Sequence, residues 1–454
     1  LGINRIYRRH TNFSIESIEQ TFNGQADWNK KVTCTISRNG DLIHRVYLRV
    51  LLPNVTLTAP STANNSVGFR WLNWLGHILI KSVEVEIGGQ RIDKHYGEWL
   101  HIWNELTQTA GHSLGYSNMV GNTPDLTEVS WIHNAGTSTP VTNAELNANN
   151  QVVIKGKYLY VPLQFWFCTS PGLALPLIAL QYHEVKVNLE LRDVKDCYWA
   201  GTSAAVTPAS NWVTNLSAVS PASLEQPSLY VDYIYLDTDE RRRFAQVSHE
   251  YLITQLQFTG DESTSQTANK FKMSFNHPVK ELIWVVQPDS HLLDGETGKQ
   301  WFNFTDDNDV SSAVDVLGGG ASGGAQWVQT STFFGKGENP VDRCKIQLNG
   351  HDRFSERDGR YFNLLQPYQH HENVPSKGIN VYSFGLQPEG HQPSGTCNMS
   401  RIDNATLNLT LTSKAVVVPN SSPAQSRSCR VKIFAINYNV LRIMSGMGGL
   451  AYSN

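Results

Sequence analysis

Val187-Asn188-Leu189-Glu190-Leu191 alternates apolar and polar side chains, and Leu407-Asn408-Leu409-Thr410-Leu411 repeats the pattern 220 residues later. A period of two puts the apolar set on one face of a strand and the polar set on the other. Other likenesses follow in the same order along the chain. Gln20-Thr21-Phe22-Asn23-Gly24 resembles Leu256-Gln257-Phe258-Thr259-Gly260, and Asp41-Leu42-Ile43 resembles Glu281-Leu282-Ile283. Glu86-Ile87-Gly88-Gly89 resembles Gln347-Leu348-Asn349-Gly350, and Gly97-Glu98-Trp99 resembles Gly359-Arg360-Tyr361. Each match alone is weak, but together they predict a tandem duplication of one β-rich unit.

The offsets between matches drift, and the drift locates insertions. The first copy gains residues within 107–150; the second gains them within 288–343, which holds the run Gly318-Gly319-Gly320-Ala321-Ser322-Gly323-Gly324. Long excursions of this kind more often form interaction surface than core. The expected units are 1–237 and 247–454. A short helix over 238–246 joins them, because Asp237-Thr238-Asp239-Glu240 precedes Arg241-Arg242-Arg243 and so suits the helix dipole.

Short alternating segments separated by Gly, Pro, Asn and Ser predict an all-β chain of antiparallel sandwiches. Trp99, Ile102, Trp103 and Leu106 fall at helical spacing and predict one amphipathic helix from His95 to Leu106. The 454 residues are 17% charged and 10% aromatic, with a formal net charge of −3. Lacking a basic excess, the chain is a poor candidate for direct nucleic-acid binding. It is too aromatic for disorder. The longest apolar run, residues 173–180, contains Pro176 and falls short of a membrane span. Six cysteines form no Cys-x-x-Cys pair and are expected to be reduced, mostly buried thiols.

Several motifs imitate chemical sites. Gly111-His112-Ser113-Leu114-Gly115 fits a nucleophile elbow, but its flanks read as helix before and polar turn after, not strand and helix. Gly318 to Gly323 fits a dinucleotide fingerprint, yet a strand-like segment follows where a helix is required. Asp306-Asp307-Asn308-Asp309 lacks the Gly and Glu of a Ca²⁺ loop and reads as a solvated acidic loop. The histidines, His370-His371 included, have no zinc spacing and are expected at the surface or as caps. Arg241–Arg243 reads as a solvated helix end with salt-bridge partners. No catalytic, cofactor or metal residues are assigned. Among the Asn-x-Ser/Thr sequons, Asn64, Asn303 and Asn420 lie in loop-like sequence and are the candidate glycosylation sites.

Longer motifs carry a family resemblance. Tyr7-Arg8-Arg9-His10-Thr11-Asn12-Phe13, Ser37-Arg38-Asn39-Gly40-Asp41-Leu42-Ile43, Glu86-Ile87-Gly88-Gly89-Gln90-Arg91-Ile92-Asp93-Lys94, Pro171 to Leu180, and Arg243-Phe244-Ala245-Gln246 resemble major capsid proteins of nucleocytoplasmic large DNA viruses. So do Gln392 to Asn398, Ser400 to Ala405, and Leu441-Arg442-Ile443-Met444-Ser445-Gly446-Met447-Gly448-Gly449-Leu450, with the strongest likeness to algal-virus and amoeba-virus members.

The resemblance implies a double jelly roll, two eight-stranded sandwiches in tandem with a few short helices and long loops. It implies a homotrimer forming a pseudo-hexagonal capsomer of an icosahedral shell, located in the virion and assembled in the host cytoplasm. Neighbouring capsomers, minor capsid proteins and penton proteins are the implied partners. The shell overlies an internal membrane that this chain does not span. It also implies a further segment upstream of Tyr7, on the inner side. The other reading is a tandem β-sandwich binding carbohydrate through exposed aromatics such as Trp131 or Trp327.

Overall fold

The computed structural model describes residues 10–61, 65–133, 151–203, 213–294, 298–307, 337–418 and 423–452, and the backbone of 144–146. Eight strands build the first unit: β1 Phe13–Thr21, β2 Lys31–Thr35, β3 Leu42–Leu51, β4 Ile80–Ile87, β5 Gln90–Tyr96, β6 Tyr158–Pro162, β7 Val185–Leu191 and β8 Glu225–Leu236. Eight more build the second: β9 His249–Phe258, β10 Ala268–Met273, β11 Pro278–Pro288, β12 Val341–Leu348, β13 His351–Asp352, β14 Ile379–Ser383, β15 Ala405–Leu411 and β16 Cys429–Met444.

The first unit pairs as β1-β8-β3-β6 and β2-β7-β4-β5, the second as β9-β16-β11-β14 and β10-β15-β12-β13, all antiparallel. Adding eight to each label of the first unit yields the second. This order, two four-stranded sheets face to face, is a jelly roll, and the chain contains it twice. β7 and β15 bury alternate residues in the same pattern, as their sequences predict. The turns Gly88-Gly89 and Asn349-Gly350 both adopt left-handed φ, 57° and 85° against 52° and 81°. Two successive positive φ values make the primed turn that suits a two-residue hairpin, which is why Gly and Asn occupy them.

Two sequence matches are out of step with the ladders. Each roll has a register shift between its third and eighth strands. The first inward-facing pair beyond it is Val46–Val231 in one roll and Leu282–Ala435 in the other. Asp41-Leu42-Ile43 therefore corresponds to a point four residues before Glu281-Leu282-Ile283. By the same row count Glu19, not Phe22, stands where Phe258 stands.

Helix α1 spans Gly97–Thr107, not 95–106. His95 lies within β5 instead, its Nε2 3.0 Å from Asp93 Oδ2 and its ring stacked on Phe165. A Cβ at Gly97 would overlap the Ile80 carbonyl, so glycine alone lets the chain turn there from strand to helix. Gly359 sits the same way against the Val341 carbonyl, at the start of the corresponding strand of the second roll. Helix α2 occupies Ala110–Val120, where the sequence reading expected loop and turn; Tyr116 and Val120 are buried, so this part of the 107–150 excursion is packed. Helix α3 runs Thr238–Gln246, with Asp237 accepting from the Thr238 N–H.

The excursions from the first roll are also larger than the repeat arithmetic suggested. Ser66–Trp71, Ser130–His133, Tyr198–Ser203 and Val213–Thr214 come from three separate loops and form a further four-stranded sheet. All six cysteines are free, four of them buried. Among the described residues no helix is long and apolar enough to cross a membrane.

Candidate assembly surfaces

The two rolls are fused along a seam. β11 is buried on both faces. Leu282, Trp284 and Val286 face the interior of the second roll, while Ile283 and Val285 join the core of the first. Helix α1 lies across that outer face. The Trp99 and Phe434 rings are 5.5 Å apart, and Phe434 stacks on Phe258 at 4.7 Å. β5 meets the edge of β9: Tyr96 packs edge-on against Phe258, and Asp93 Oδ1 accepts from the Leu256 N–H at 3.0 Å.

A buried charge cluster closes the same seam. Glu98 lies 3.4 Å from Arg192 and 3.7 Å from Lys432, which belongs to β16. Burial works to raise its carboxyl, but Lys432 and Arg192 hold it below the usual range. The last motif of the chain reaches back to the first roll. The Tyr182 N–H donates to Gly446 O at 2.9 Å, and the Gly448 N–H to His183 Nδ1 at 3.1 Å. Arg38 donates to the carbonyls of Leu180, Gln181 and His183. The motifs around Arg38, Gly88, Leu180 and Gly446 thus converge on one place.

Among the described residues the imitation motifs do not assemble a reactive centre. Ser113 is exposed on α2 and its hydroxyl donates to Ala110 O at 2.9 Å, without a histidine partner. Among the described residues no cluster of three His, Cys, Asp or Glu could hold a metal. The Gly318–Gly324 run, Asp309 and Trp327 lie outside the described residues. Trp131 is buried, which removes it as a sugar platform.

Two surface expectations need correction. Asp306 is buried: its carboxylate accepts from the Glu338 N–H at 2.8 Å and from the Thr412 hydroxyl at 3.0 Å, so the acidic run begins as a structural knot. The His371 ring is enclosed, Nε2 2.6 Å from Glu281 Oε2 and Nδ1 2.7 Å from Glu389 Oε1. Burial opposes its charged form, yet the two carboxylates raise its pKa to about 9. His44, His77, His95, His101, His277 and His291 are buried as well. Arg241 does take the expected salt-bridge role, 3.0 Å from Asp41.

Of the candidate glycosylation sites, Asn64 and Asn420 lie outside the described residues. Asn303 is 3% exposed, and its Nδ2 donates to Gln300 Oε1 at 2.6 Å and Asp307 O at 3.1 Å. The nitrogen that would carry a sugar is therefore engaged inside the fold.

Outward-facing apolar and aromatic groups are numerous. Phe13 and Ile15 stand on β1, Tyr158 and Tyr160 on β6, and Leu364, Leu365 and Tyr368 on the helical segment that follows Gly359. Surface of this kind, distributed over both rolls, is what binding to like neighbours requires.

Comparison with known proteins agrees with this architecture. Residues 3–237 match the family described as major capsid protein N-terminus, and 240–449 match the large eukaryotic DNA virus major capsid protein. The chain is 50% identical to the major capsid protein of Phaeocystis pouchetii virus, across 99% of this chain and 94% of that one. It is 40% identical to the major capsid protein of Paramecium bursaria Chlorella virus 1, across 99% and 93%. The quasi-atomic model of the PBCV-1 virus capsid superposes with a TM-score of 0.70 at 37% identity, covering both chains fully. The Faustovirus major capsid protein shares the fold at 15% identity and a TM-score of 0.70, across 98% and 93%. This chain belongs to the major capsid proteins of large eukaryotic DNA viruses: a double jelly roll that serves as a structural component of the virion, not as an enzyme.

Proposed function

We propose that the chain works as a homotrimer, three copies placing six jelly rolls around a threefold axis to make one pseudo-hexagonal capsomer. The observation that carries this reading is the recurrence of all eight strands in the same sheet order, with both rolls sharing buried core along one seam. A duplicated unit lets a threefold assembly fill sixfold positions. The rolls divide at 1–237 and 247–454, with α3 as the linker.

Capsomers tile with neighbouring capsomers, and minor capsid and penton proteins complete an icosahedral shell over an internal membrane. Assembly takes place in the host cytoplasm. The low charge suits surfaces that pack on identical neighbours, and the chain encloses the genome without gripping it. The test is sedimentation of the purified chain at micromolar concentration. A single trimeric species is expected, and a persistent monomer would overturn the proposal.

A further inference from the structure

The seam inside one chain predicts the seam between chains. In the second roll one cross-strand row reads Phe258 on β9, Phe434 on β16, Ile283 on β11 and Val381 on β14. Helix α1 and β5 of the first roll cover it. The same row of the first roll reads Glu19 on β1, Tyr230 on β8, Tyr47 on β3 and Pro162 on β6. Phe434, Ile283 and Val381 are buried, whereas Glu19 is exposed and Tyr230, Tyr47 and Pro162 are half-exposed. Tyr47 and Pro162 border an open cavity of about 790 Å³.

The covering element is duplicated too. α1 follows Gly97 and carries the stripe Trp99, Ile102, Trp103, Leu106; the segment after Gly359 carries Tyr361, Leu364, Leu365, Tyr368 at the same spacing. It is helical, a π turn over Tyr361–Leu365 running into α4, Gln366–His370. The first stripe is largely buried in the seam, while Leu364, Leu365 and Tyr368 of the second are exposed. One chain thus holds a used copy of each half of an interface and a largely uncovered copy of each; within the second stripe Tyr361 is part-buried, with Arg357 over its ring and its hydroxyl accepting from Gln366.

We infer that the Tyr361–Leu364–Leu365–Tyr368 stripe of one copy docks on the Glu19–Tyr230–Tyr47 face of a second copy, repeating between chains the contact that α1 makes within one. The inference rests on the trimeric reading and adds the contact to it. Tyr361 stands for Trp99 and Tyr230 for Phe434, so these two rings meet across the interface. Charge is mixed on both sides, so contact area and not net charge carries the pairing: Arg353, Arg357 and Arg360 flank the stripe beside Glu356 and Asp358, and the receiving face carries Glu16 and Glu19 beside Arg45 and Arg49. The face is rich in Tyr and Arg, the residue types that dominate protein contacts. Such a contact is heterologous, so it does not end at a dimer, and with a threefold rotation between copies it closes into a ring.

The test uses the full chain in two forms. Tyr361→Cys with Tyr230→Cys, treated with a short bis-maleimide, is expected to give covalent dimers and trimers that neither single variant nor the wild type gives. Leu364→Asp with Leu365→Asp is expected to shift at least 90% of the trimer to monomer while the unfolding midpoint of the monomer stays put. A trimeric wild type whose Asp variant remains trimeric and whose cysteine pair stays unlinked would overturn this contact and leave the trimer standing. A monomeric wild type would overturn the trimer itself. Should the Asp variant unfold, the cross-link decides alone.

Discussion

Trp99 and Phe434 meet with ring centroids 5.5 Å apart across the boundary between the rolls, one from a helix of the first and the other from a strand of the second. Phe434 is 1% exposed and also stacks on Phe258. Phe434→Ala should therefore cost about 3–5 kcal/mol, the range for losing a buried aromatic and leaving a cavity. Tyr230→Ala, in the equivalent but half-exposed position where the hydroxyl accepts from Arg49, should cost less, about 1–2 kcal/mol in the free chain. Thermal unfolding of monomeric protein checks both. Equal losses at the two positions would mean that the rolls are not differently covered.

Glu98 should be less tolerant than any surface carboxylate. Removing it leaves Arg192, its side chain about nine-tenths buried, without its ion-pair partner, and Lys432, equally buried, with Asp261 alone at 3.5 Å. Breaking a buried pair from one side costs about 3–5 kcal/mol, so Glu98→Ala should lower the unfolding midpoint far more than Glu250→Ala on the exposed Arg442 pair. Because the folded carboxyl titrates below its ordinary 4.5, this contribution is present above about that pH and is lost as pH falls through the depressed value.

Two histidines set opposite pH limits. His371 keeps its proton in the fold up to about pH 9, whereas the unfolded ring loses it near 6.5. Its stabilisation is complete below 6.5 and disappears as pH rises through 9. His291 is the reverse: burial lowers its pKa to about 4, so the unfolded state takes up a proton first as pH falls. That contribution is complete above 6.5 and disappears on the way down to 4. Each shift is on the order of 3 kcal/mol. Unfolding midpoints should peak near pH 6.5, His371→Gln should flatten the alkaline limb, and His291→Gln the acid limb. An alkaline limb unchanged in His371→Gln would rule out the carboxylate pair as its origin.

Those histidines also mark where the sequence stopped being legible. Leu407–Leu411 declared its strand because one face is core and the other solvent, so alternation survives in the residues. Leu282-Ile283-Trp284-Val285-Val286 shows no alternation because both faces are buried, one in each roll. The repeat was visible through turns, such as Gly88-Gly89 and Asn349-Gly350, whose backbone demands particular residues. It slipped by three or four residues in strands, where many apolar residues serve equally. His371 looked like a surface residue because its partner Glu281 is 90 positions away and only the ladder of β11 brings it near. The docking stripe after Gly359 was readable as a short match to Gly97-Glu98-Trp99. Only the burial of one copy and exposure of the other gave it meaning.

The final motif, Gly446 to Leu450, should be a lock for the seam rather than a flexible end. Gly446 has φ +78°, and a Cβ there would lie 2.5 Å from the Tyr182 ring; at Gly448 it would lie 2.7 Å from Leu180. The left-handed backbone at 446 strains any larger residue, and the rings and side chains behind both positions belong to the first roll. Gly446→Val should cost about 1–3 kcal/mol and release the hairpin Met447–Leu450 from β16, whose own interior is untouched. Limited proteolysis checks this: new cleavage after residues 442–450 is expected well below the temperature at which the rolls unfold. Loss of the whole chain at that temperature would instead place Gly446 in the core of the fold. Protection equal to wild type would mean that Tyr182 simply moves aside.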